Sequence, residues 1–117
     1  MSGITRTGTL SAATGQTLLG QGQGGRVGSL FIQFEFSGSP AADHSITLKG
    51  RTSRDGTGID KTLLAVAFKD YQTGSNSTSA ITANKSVLID ASAQDIYADV
   101  TTVTTGSVTW TATPLLG

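Results

Sequence analysis

Residues 29–37 read SLFIQFEFS, placing Leu30, Ile32, Phe34 and Phe36 on one side of an extended chain and Gln33 and Glu35 on the other. Side chains of a strand point to alternate faces, so this period of two predicts a half-buried strand; Phe31 is the one bulky residue on its polar side. The pattern recurs. Ile46 and Leu48 alternate with Thr47 and Lys49, and Val108, Trp110 and Ala112 alternate with Thr109 and Thr111. The run LLAVAFKDY predicts a third strand with Leu64, Val66 and Phe68 inward, and shorter strands are expected over residues 80–82 and 87–90. Between these runs lie SGSPAADH, TSRDGTGID with its Asp55-Gly56 dipeptide, TGSNSTS and residues 91–95, all rich in turn formers. DIYADVTTV and SVTWTAT flank Thr104-Thr105-Gly106, which reads as a hairpin. No segment sustains the i, i+3, i+4 spacing of a helix.

About seven short strands separated by turns predict one all-β domain, an antiparallel β-sandwich of jelly-roll-like form, over residues 29–117. Residues 1–28 break the pattern. Rich in Gly, Ser, Thr and Gln, with apolar islands at Ile4, Leu10, Leu18 and Leu19, they predict an extended N-terminal arm ending in a flexible joint at residues 20–25. Such an arm could span up to roughly 90 Å. The other reading is that these residues form the first strand of the sandwich.

Composition adds three things. A chain of 117 residues supports one core. Only 14% of residues are charged while Ser and Thr number 32, so the polar surface is built mainly of hydroxyls, which suits strands. Eight Lys and Arg balance eight Asp and Glu without clustering, which argues against nucleic acid as a direct partner, and zero net charge is compatible with life in an assembled array. There is no cysteine, hence no disulfide or thiolate metal site, and no run approaches the roughly 20 apolar residues of a membrane span. With no signal-like N-terminal apolar stretch, a cytoplasmic site of synthesis is expected.

The candidate chemistry is thin. Gly20, Gly22 and Gly25 fit G-x-G-x-x-G, but a strand follows where a phosphate-binding helix is required. His44 lies between Asp43 and Ser45; on extended backbone it faces away from both, so it reads as a solvated turn residue whose replacement by alanine changes nothing. Asp55 and Asp60 could touch calcium but are too few for its six to eight oxygens. Asp90, Asp95 and Asp99 read as strand-end, turn and strand-face residues rather than a glycosidase pair. Trp110, Tyr71 and Tyr97 could form a sugar platform, although Trp110 between threonines reads as core. The expectation is a protein that is not an enzyme and uses no cofactor and no metal.

From Ser45 onward the order of features resembles small phage virion proteins of the capsid decoration, or cement, type. The motifs are SITLKGRTS running into Ser-Arg-Asp-Gly at 53–56, then SVLIDAS at 86–92, and the Thr-rich ending DIYADVTTVTTGSVTWTATP at 95–114. One departure is that residues 57–62 carry no tryptophan, where many such proteins have one after the Asp-Gly turn. The resemblance implies a jelly-roll-like domain, commonly a homotrimer, made in the bacterial cytoplasm and seated on the outer face of the virion head, where it bridges major capsid protein subunits. Ile4, Arg6, Leu10, Leu18, Leu19 and Arg26 in the arm, and Leu115 and Leu116 at the C-terminus, are then the expected shell or inter-subunit contacts. A tail, neck or fibre component and a carbohydrate-binding module are the other readings.

Overall fold

The computed structural model describes residues 5–10, 16–21, 27–38, 42–51, 64–91, 95–102 and 104–116. They form strands and turns with no helix. The strands are β1 (Arg6–Leu10), β2 (Gln16–Gln21), β3 (Val27–Ser37), β4 (Ser45–Arg51), β5 (Leu64–Ala65), β6 (Phe68–Asp70), β7 (Asn76–Ser77), β8 (Lys85–Asp90), β9 (Asp95–Thr102) and β10 (Ser107–Leu116). One sheet runs β1-β10-β3-β8-β6-β7 and the other β2-β9-β4-β5.

The pairing is nested. Strand β1 pairs with β10, β2 with β9, β3 with β8 and β4 with β5, all antiparallel, and successive pairs alternate between the two sheets. Strand β10 then lies between β1 and β3, and β9 between β2 and β4. A long antiparallel ribbon rolled in this way is a jelly roll, here with β6 and β7 added beyond β8.

The all-β sandwich expected from the alternation is therefore what the chain forms, and the inward residues are those the period of two selects. Leu30, Ile32 and Phe34 of β3, Val87 and Ile89 of β8, and Val108, Trp110 and Ala112 of β10 meet Ile46 and Leu48 of β4 and Ile96, Ala98 and Val100 of β9 in one core. Burying each Leu, Ile or Val contributes about 1.5–3 kcal/mol.

Three expectations about connectivity are corrected. Residues 6–10 and 16–21 are not an arm: they are strands of the two sheets, and Leu10 and Leu19 are 0% exposed within the core. The alternative reading of this segment, as part of the sandwich, describes it. Secondly, β9 and β10 are not a hairpin, because each lies in a different sheet and the turn between them crosses the sandwich. Thirdly, LLAVAFKDY is not one strand: β5 belongs to the four-stranded sheet and β6 to the six-stranded one. The chain changes sheet at Val66 and Ala67, with the Val66 N–H donating to the Leu48 carbonyl at 3.1 Å. The short strand expected at 80–82 is a single bridge, Ile46 to Ile81.

Two glycines are fixed by contact. Gly20 sits at a register shift in β2 and faces the core, where a Cβ would come within 2.5 Å of Leu30 Cδ1. Gly106 ends the 104–106 turn at φ +68°, with the Ser37 carbonyl oxygen 2.5 Å from where its Cβ would lie.

Candidate binding face on the six-stranded sheet

The register of the six-stranded sheet arranges its outward side chains in rows. Leu115, Ser29 and Asp90 form one row, followed by Thr113, Phe31, Leu88 and Lys69, then Thr111, Gln33 and Ser86, then Thr109 and Glu35. Thr7 and Thr9 of β1 extend the last two rows. Leu115, Phe31 and Leu88 gather toward one end of this face, among Ser29, Asp90, Thr113 and Lys69, and the other end is wholly polar.

Phe31, which interrupts the polar side of its strand, has a partner. Its ring lies 5.3 Å from that of Tyr71 at 40°, and the Lys69 ammonium stands 5.6 Å from the Tyr71 ring centre. Tyr71, 49% exposed, and Leu115, 40% exposed, are the large hydrophobic side chains left open among the described residues, and both belong to this face or its margin.

At the polar end a groove of about 340 Å³ is lined by Gln33, Glu35, Gln72, Asn84, Lys85, Ser86, Thr109 and Thr111, with Phe34 beneath. Asn84 enters from the loop before β8, and its Oδ1 accepts the Phe36 N–H at 2.7 Å, which turns its amide NH₂ away from the strand. Lys85 is held by Asp70, Nζ to Oδ2 2.9 Å. The Asp70 carboxyl lies below the usual carboxylate range because it accepts from the Lys85 ammonium and then from the Gln72 N–H, at 2.8 Å. Glu35 is exposed and opposite Thr109, and its carboxylate has no hydrogen-bond or ionic partner among the described residues.

The outer face of the four-stranded sheet is more closed. Lys49 and Asp99 are paired at 2.6 Å, with Leu18 opposite Tyr97 on the same side. The third carboxylate of the 90–99 group, Asp95, is buried at the start of β9, and Asp90 is exposed at the end of β8. These three aspartates are not brought together across a cleft; Asp99 is committed to its lysine.

At the 104–106 turn, Asp43 accepts the N–H groups of Thr104 and Thr105 at 2.9 and 3.0 Å and the Thr104 hydroxyl. These bonds, the hydroxyl's first, hold its carboxyl well below the usual carboxylate range. Beside it His44 is not a solvated turn residue. It is fully buried, edge-on to Phe36 at 6.3 Å, with Nε2 2.8 Å from the Leu10 carbonyl oxygen and Nδ1 without a partner. Asp43 and His44 thus serve two different contacts and are not coupled as catalytic partners.

Of the expected contact residues, Leu10 and Leu19 are core, Arg6 is exposed on edge strand β1, Leu18 is half-buried and Leu115 is open. Ile4, Arg26 and the side chain of Leu116 lie outside the described residues, as do Asp55, Asp60, Gly22 and Gly25. Trp110 is 4% exposed, so a sugar platform cannot include it, while Tyr71 remains available. No group of three potential metal ligands occurs among the described residues. The groove was not legible in advance because Asn84 comes from a distant loop; Phe31 on a polar side marked the face but does not line the groove.

No protein-family model matches the sequence, and no curated protein matches it. Among solved structures, the SPBc2 prophage-derived protein YomS is similar over 98% of this chain and 98% of its own, with a TM-score of 0.64 and 13% sequence identity. The two chains share a fold from end to end.

Proposed function

We propose that this is a phage virion structural protein of the capsid decoration type, which binds the outside of the head and stabilises contacts between major capsid protein subunits. The observation that carries this reading is the end-to-end likeness of its jelly roll to a prophage-derived protein. The Thr-rich ending of the chain, which resembles decoration proteins, points the same way. The mechanism is mass action: a protein that binds the assembled shell and not its separated subunits stabilises assembly with no bond made or broken.

On this reading the contact lies on two of the edge strands, β1 of one sheet and β2 of the other. Edge strands present unpaired backbone groups that a neighbouring chain can continue. Arg6 on β1 and Leu18 beside Tyr97 on β2 are its side-chain anchors, with Leu115 as a secondary contact. The same edges serve self-association into a ring, the homotrimer that decoration proteins commonly form.

Light scattering behind size exclusion, followed by sedimentation with purified expanded shells, tests the reading. A trimer that co-sediments with shells, and loses this on Arg6→Glu with Leu18→Glu, is the expected outcome. A folded monomer that ignores heads but co-sediments with tails would move the protein to a tail, neck or fibre position.

A further inference from the structure

We propose that the groove on the outer face of the six-stranded sheet is a binding site for a neutral saccharide. The inference goes beyond the capsid reading and does not rest on it.

Its volume, about 340 Å³, falls at the lower end of small-molecule sites, which run from about 300 to 1,000 Å³. Its lining is what a ligand made of hydroxyls requires. A sugar hydroxyl both donates and accepts, so it is matched by a mixture of acceptor-only, mixed and hydroxyl groups. Glu35 supplies the acceptor-only carboxylate and has no partner among the described residues. Gln33 supplies an amide, and Thr109 and Thr111 supply hydroxyls. Asn84 is fixed by the Phe36 N–H at 2.7 Å, so its NH₂ is presented as a donor at little further cost in side-chain entropy.

Charge narrows the class. The lysine at the groove, Lys85, is neutralised by Asp70 at 2.9 Å, so among the residues that line the groove Glu35 carries the uncompensated charge, which disfavours sulfated, phosphorylated or sialylated ligands there. One carboxylate is too few to hold a calcium ion. Tyr71, 49% exposed, precedes groove residue Gln72 and leaves to a second sugar unit the part of its ring not met by Phe31 at 5.3 Å and the Lys69 ammonium at 5.6 Å.

The test is an amide chemical-shift titration of the full isotope-labelled chain with maltotetraose, cellotetraose, mannotriose and galactobiose, and with a heparin hexasaccharide as the charged control. At least one neutral oligosaccharide is expected to bind saturably, with Kd on the order of 0.1–1 mM, and to shift the amides of Gln33, Glu35 and Asn84. Glu35→Gln, which keeps size and leaves the spectrum elsewhere unchanged, should weaken it at least about tenfold, and Tyr71→Ala about threefold. The proposal is overturned if none of the four neutral sugars shifts these amides at about 10 mM, if only the heparin fragment does, or if Glu35→Gln and Gln33→Ala leave the affinity unchanged.

Discussion

The two sides of β3 divide the work of the molecule. Its inward residues, Leu30, Ile32 and Phe34, are sealed between the sheets, whereas the outward side chains of Gln33 and Glu35 are exposed and line the groove. Neighbouring residues of one strand therefore carry different burdens: the inner set holds the fold, and the outer set is free to serve recognition. The four-stranded sheet shows what an outer face looks like when it is not left open, with Lys49 and Asp99 closed on each other.

The largest effect should come from removing the segment that looked least like structure. Deleting residues 1–21 takes away β1 and β2 together with Leu10 and Leu19, and strips β9 and β10 of one partner each. No cooperative thermal transition is expected by circular dichroism. A remnant that still melts cooperatively would return these strands to the status of an arm.

Within β3 the contrast can be put to a direct measurement. Ile32→Ala should cost about 2–5 kcal/mol in urea denaturation, since it opens a cavity at a site that both sheets enclose. His44→Ala should cost about 2–3 kcal/mol, because it removes a buried ring and leaves the Leu10 carbonyl, at the end of β1, without its 2.8 Å partner. That contradicts the expectation, drawn from sequence, of an unaffected variant.

A smaller effect, and a pH-dependent one, is expected at the 104–106 turn. The Asp43 carboxyl is held below its unfolded value of about 3.9, so the unfolded chain binds more protons than the folded one in the interval between the two values. The stabilisation from this group is present above pH 4 and is lost as pH falls through the folded value. Asp43→Asn should flatten the acid limb of a stability-against-pH curve below pH 4, leaving a shallower fall from Asp70, whose carboxyl is also lowered. An acid limb unchanged in Asp43→Asn would remove the turn from the account.

The alternation of apolar and polar residues made the inward set of β3, β4 and β10 readable, because the period of two depends only on local geometry. It says which face a residue takes and nothing about which strand lies alongside. LLAVAFKDY alternates without a break while the chain passes from one sheet to the other at Val66, and a short turn before Gly106 serves a crossing as well as a hairpin. The first two strands were hidden for a different reason. Their Gly- and Thr-rich sequence is weakly apolar, and Leu10 and Leu19 gain their burial from distant β10 and β9 rather than from any local pattern. The groove is less legible still, since it needs β3, β10 and the loop at Asn84 at once.

The smallest effect is the most informative about the division of β3. Gln33→Ala combined with Glu35→Gln alters two exposed outward positions whose side chains have no hydrogen-bond or ionic partner among the described residues, so stability should change by less than about 0.5 kcal/mol. A loss above 1.5 kcal/mol would mean that the outer face also holds the sheet together, and that its polar residues are there for the fold. Stability unchanged, beside the large loss in Ile32→Ala one position away, would mean that these residues can be varied at no cost to folding. A surface with that freedom is one on which a binding site can be assembled without disturbing the core beneath it.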